Sequence, residues 1–75
     1  MLPKLRRLSG QDVVKILSEH GFVRVRQKGS HIAMQRRGPA TTVTVIVPDH
    51  AELHIGTLRS IVRQSGLTRT AFESR

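Results

Sequence analysis

The chain contains no cysteine, tryptophan or tyrosine. Without thiols, disulfide staples and thiolate metal centres are excluded. With Phe22 and Phe72 as its only aromatic residues, the core must be aliphatic, built from Leu, Ile and Val. No apolar run approaches the ~20 residues that a membrane span requires. The opening residues, Met1-Leu2-Pro3-Lys4-Leu5-Arg6-Arg7-Leu8, lack the ~7–15-residue apolar core of a signal peptide, so the cytoplasm is the expected compartment. Acidic residues are also scarce. Five Asp and Glu stand against thirteen Lys and Arg, a formal net charge of +8 on 75 residues. On so small a chain this excess favours a polyanionic partner, with nucleic acid ahead of an acidic protein or an anionic membrane surface.

Seventy-five residues allow one domain with one small core, expected here as a basic lead-in over 1–8 and a folded core over 9–72. Such a domain is marginal alone and gains from a partner or an oligomer. Lys4, Arg6 and Arg7 read as a flexible basic arm. Ser9 is a plausible helix N-cap, with Asp12 in a first turn whose dipole favours an acid. Val13, Ile16, Leu17 and His20 follow helical spacing to about Glu19, and Gly21 ends the helix with Phe22 folded back on Leu17. Phe22 to Gln27 then alternates, with Val23 and Val25 on one face and Arg24 and Arg26 on the other, as in a strand. Ile32 and Met34 mark a second strand, and residues 36–40 read as a loop. Thr41 to Val47 reads as a third strand ended by Pro48. After an irregular connection through His54, Ile55, Leu58, Ile61 and Val62 predict a helix over about 55–65, capped by Gly66. Thr68 opens a last short turn carrying Phe72. The order is α-β-β-β-α, an α+β fold in which both helices cover one face of a three-stranded antiparallel sheet.

The hairpin between the first two strands is the natural place for chemistry. A two-residue loop at Lys28-Gly29 would set Arg26 opposite His31, Val25 opposite Ile32 and Val23 opposite Met34. The valines would then join the core face. His31 would stand beside Arg26 on the open face, with Arg24 and Lys28 close by.

The α-β-β-β-α order resembles the double-stranded-RNA-binding domain fold. The residues go further. Ser9 leading into a short helix, Gly21-Phe22, and Arg26-Gln27-Lys28-Gly29-Ser30-His31 resemble the HicA toxin family. So do the Val-rich strand running into Val47-Pro48-Asp49-His50, then Gly56-Thr57-Leu58-Arg59-Ser60-Ile61 and Gln64-Ser65-Gly66-Leu67-Thr68. The likeness runs from about Ser9 to Phe72, with a short terminal helical segment for the family. It implies a small, metal-independent mRNA-cleaving RNase, held inactive by a HicB antitoxin bound over its active site. The histidine of Gly-Ser-His is the family's catalytic residue, which maps onto His31.

Chemistry gives these residues roles. RNA carries its own nucleophile, the 2′-OH beside each phosphate, so an RNase needs a base, positive charge for the transition state and an acid for the leaving 5′-oxygen. Histidine exchanges protons near neutrality. Arg24, Arg26 and Lys28 are expected to meet phosphates, with Gly29 and Ser30 shaping the turn and Ser30 offering a hydrogen bond. Arg59 and Arg63 on the second helix are candidates for RNA or antitoxin contact. His50 is a candidate general acid. His50 and His54 also have i, i+4 metal-ligand spacing, but they precede the helix, where that spacing fixes no geometry; no metal or cofactor is expected. His20 reads as structural. Two rival readings use the same open face: a non-catalytic RNA-binding module, and an accessory protein whose basic face binds an acidic partner.

Overall fold

The computed structural model describes residues 7–73. The predicted arm residues Lys4 and Arg6 lie outside them. Helix α1 (Gly10–Glu19) starts at Ser9, whose hydroxyl accepts the Asp12 amide at 3.0 Å while the Asp12 carboxylate accepts the Ser9 amide at 2.9 Å. This reciprocal capping box satisfies donors that a helix start leaves orphaned. At the other end, the Phe22 amide donates to the Leu17 carbonyl and the Gly21 amide to that of Ser18, with Gly21 at φ 90°. These are the two bonds of a Schellman motif, and Phe22 is buried as its hydrophobic partner. His20, expected to close the buried stripe, is exposed. It sits at the C-cap with φ −111° and ψ 24°, where helical periodicity no longer applies, and its Nδ1 lies 2.9 Å from the Ile16 carbonyl.

Strands β1 (Val23–Lys28), β2 (His31–Arg37) and β3 (Thr42–Pro48) form an antiparallel sheet in the order β1-β2-β3. Helices α2 (Ile55–Ser65) and α3 (Thr70–Glu73) follow. The core joins Val13, Ile16 and Leu17 of α1, Ile32 and Met34 of β2, Val45 and Val47 of β3, Leu58 and Ile61 of α2, and Phe72 of α3. Both long helices therefore share one sheet face, in the α-β-β-β-α arrangement expected. Leu8 and Leu53, outside any element, are buried in the same core. A buried side chain of this size contributes roughly 1.5–3 kcal/mol, so each matters in so short a chain.

Several details differ from the sequence reading. Arg36 and Arg37 belong to β2, not to the loop, and β3 includes Pro48. Proline is accommodated because it ends an edge strand, where a missing donor breaks no interior ladder. Ile55 is 48% exposed, whereas Ser65, facing the core, is fully buried. The Ser65 hydroxyl is satisfied by donating to the Val62 carbonyl at 2.9 Å and accepting the Leu67 amide at 3.1 Å.

The hairpin register also differs. The loop is Gly29-Ser30, with Lys28 opposite His31, Gln27 opposite Ile32 and Arg26 opposite Ala33. Gly29, at φ 58°, supplies the positive φ at the first loop position, and Lys28 stays in the strand. A bulge between Arg24 and Arg26 then shifts the pairing, setting Arg24 opposite Met34 and Val23 opposite Gln35. One extra residue reverses the alternation beyond it. The two valines consequently miss the core and are 60% and 47% exposed.

Candidate nucleic-acid interface

The sheet face away from the helices is laid out in cross-strand rows, because residues paired in an antiparallel ladder project to the same side. The first row is Lys28, His31 and Pro48; the second is Arg26, Ala33 and Ile46; the third is Val23, Gln35 and Thr44. Gln35 Nε2 donates to Thr44 Oγ1 at 3.1 Å, which ties β2 to β3 in the third row. His31 is exposed at the first residue of β2, directly after the loop. Among the described residues no hydrogen bond or ion pair engages its ring. An imidazole held only by its backbone, beside a lysine and one row from an arginine, is free to meet an incoming polar group.

Of the cations singled out from sequence, Arg26 and Lys28 share this face with His31. Arg24 does not. Opposite Met34, it projects to the helix side of the edge strand, where its Nη1 lies 3.5 Å from Gln27 Oε1. Arg59 and Arg63 are exposed on α2, which packs on β3 from the covered side, so the sheet separates them from His31. Arg36 is also on the covered side, 5.0 Å from the Phe22 ring centroid, a cation–π contact that closes the core there. Gly29 and Ser30 form the exposed loop, and Gln27 Nε2 donates to the Gly29 carbonyl at 3.2 Å.

His50 reaches this corner by backbone. The Asp49 amide donates to the Ser30 carbonyl at 2.6 Å, which joins the residue before His50 to the residue before His31. His54 is the N-cap residue of α2 and makes no side-chain capping bond. Among the described residues no three His, Asp or Glu side chains come together as a metal-binding group, and no helix is long and apolar enough to cross a membrane.

Sequence reasoning missed the segment Pro48-Asp49-His50 as a structural member of the corner. It also missed its partners, Gly10 and Gln11. The Gly10 amide donates to the His50 carbonyl at 2.8 Å, and Gln11 Nε2 donates to Asp49 Oδ1 at 3.0 Å. One signal was present: a glycine directly after an N-cap, where almost any residue is a better helix former.

The fold and this face define a small basic α+β domain, with helices on one side of the sheet and an accessible histidine among cations on the other. Residues 10–67, from α1 to just beyond α2, match the family described as HicA toxin of bacterial toxin–antitoxin, and the chain belongs to that family. No curated protein matches it. Membership makes the chain the toxin of a toxin–antitoxin system, with a cognate antitoxin as partner and RNA as the general target.

Proposed function

We propose that this toxin is a cytoplasmic endoribonuclease that cleaves mRNA by metal-independent acid–base catalysis centred on His31. The observation that carries this reading is the first row of the open face, where an unengaged imidazole stands beside Lys28 with Arg26 in the next row. His31 removes the proton from a ribose 2′-OH, and that oxygen attacks the adjacent phosphorus. The bond from phosphorus to the 5′-oxygen breaks, leaving a 2′,3′-cyclic phosphate on one fragment and a 5′-OH on the other. Arg26 and Lys28 hold the non-bridging oxygens while charge develops on them, and the exposed Gly29-Ser30 loop gives the backbone room to approach. The leaving oxygen takes a proton from an acid, for which His50 is the candidate, because the Asp49–Ser30 bond brings its segment to the corner. Arg24, Arg59 and Arg63 lie off this face and act through attraction of the polyanion at longer range. A HicB-type antitoxin neutralises the toxin by covering the His31 face, for which a basic surface with no covering layer is the natural complement of an acidic protein.

The test is cleavage of a defined RNA in EDTA by wild type and His31→Ala, with the product ends mapped. The substitution is expected to lower the rate by ~10²–10⁴, the usual range for a general base, while RNA binding persists. Equal, salt-sensitive RNA retention with no cleavage by either protein would leave a binding module instead. A requirement for added metal would overturn the mechanism.

A further inference from the structure

We propose that Gly10 is a positioning residue for His31, acting through the strap Pro48-Asp49-His50. The inference rests on the catalytic reading of His31 and concerns what holds that residue in place. The first turn of α1 is seated directly on the strap. A Cβ built on Gly10 would crowd the Pro48 carbonyl oxygen, stand 2.9 Å from Asp49 Cα and lie 3.0 Å from the Pro48 carbonyl carbon. All three are backbone atoms, which cannot swing aside as a side chain can. Only a residue without a side chain brings α1 this close. The approach is fastened by the bond from the Gly10 amide to the His50 carbonyl, and by Leu53 donating to the Leu8 carbonyl at 2.8 Å.

From the strap, two links run to His31. The Asp49 amide donates to Ser30, the residue before it, and Pro48 is its ladder partner on β3. The imidazole has no hydrogen bond of its own among the described residues, so its position follows its backbone. Proton abstraction needs that position held closely, since a misplacement of ~1 Å can cost ~10²-fold in rate. The separation of Gly10 from the hairpin in sequence hides this dependence. It exists only because α1, β3 and the loop meet at one point.

Gly10→Ala tests it, with the four histidine rings followed by NMR and RNA cleavage measured in parallel. The expected result is a folded protein whose kcat falls by up to ~10²-fold with KM little changed. The ring resonances of His31 and His50 should move, while those of His20 and His54, at the ends of α1 and α2, stay in place. Asp49→Pro is the second variant; it adds no atom at Gly10 but removes the amide donated to Ser30, together with the carboxylate that accepts Gln11 Nε2, and it should move His31 and kcat in the same way. Glu52→Ala, an exposed change in the same loop, should alter neither. Folded Gly10→Ala with wild-type kcat and an unmoved His31 resonance overturns the proposal. So does equal movement of all four rings, which would assign Gly10 to folding alone. Should the wild type itself fail to cleave RNA, the nuclease reading falls. The His31 resonance in the two variants still decides whether the strap sets this residue.

Discussion

Single residues carry unequal weight here, and Phe72 shows why. It lies near the end of the described chain, on a helix of four residues, yet it is fully buried among the core residues of the long helices. Arg69 and Glu73 form an ion pair one turn apart on the same segment. The Arg69 end of this pair is half exposed while the Glu73 carboxylate is largely covered, and the fully buried Phe72 ring is the apolar anchor of the segment. Phe72→Ala is expected to cost ~3–5 kcal/mol. At ~0.05–0.15 kcal/mol per residue a chain of 75 residues is held by about 4–11 kcal/mol in all, so the loss is a large share. Urea denaturation should show the midpoint falling steeply or the folded baseline lost, and a shift within error of wild type would show that α3 is dispensable. His31 is the opposite case. It is exposed and unengaged, so His31→Ala should leave the denaturation midpoint close to wild type while removing cleavage.

Elements differ in how tightly local chemistry fixes them. Gly29 occupies a positive φ with nothing near its Cβ direction, so a side chain there meets backbone strain and no clash. Gly56 in the first turn of α2 has the same empty surroundings and no positive φ. The two glycines should therefore respond in opposite directions. Gly29→Ala is expected to destabilise by ~1–2 kcal/mol, and Gly56→Ala to stabilise by up to ~0.5–1 kcal/mol. Thermal unfolding of both variants checks the pair. A stabilising Gly29→Ala would contradict the turn described for the hairpin. The bulge in β1 works at the same scale. It twists an otherwise open edge strand and, with the cations along it, discourages pairing with another chain. Its further effect is to divide Arg24 from Arg26.

For the molecule as a whole, the +8 charge is spread over both layers; among the described residues Arg26 and Lys28 lie nearest His31 on the open face, with Arg37 at the far end of β2 on the same side. Affinity for single-stranded RNA should fall as salt rises, with a log–log slope of about −0.7 for each phosphate neutralised. Arg26→Gln and Lys28→Gln should each flatten that slope by about one such increment, whereas Arg24→Gln should flatten it much less. Binding isotherms at several salt concentrations provide the measurement. Equal effects from all three would mean that the RNA wraps the edge strand instead of lying on the His31 face.

Much of this protein was legible along the chain. Ser9 and Asp12 make a capping box, and Gly21 with Phe22 makes a helix stop. The alternation in the strands and the apolar stripe of α2 are likewise patterns a few residues long, set by backbone geometry that neighbours in sequence share. The order of elements and the covering of one sheet face follow from those patterns, as did the prominence of the hairpin carrying His31. What the tertiary structure alone decided was relative placement. Alternating valines and arginines were compatible with two registers, and a bulge that no local signal marked chose the one that exposes the valines. Burial of Leu8, Leu53 and Ser65 depended on which surfaces happened to converge on them. The close approach of Gly10 to the Pro48 carbonyl had the same origin, since it joins residues far apart in the chain. Local conformational preference acts over a turn or a strand; register, burial and the seat of His31 are settled by packing between elements, which no single stretch of sequence contains.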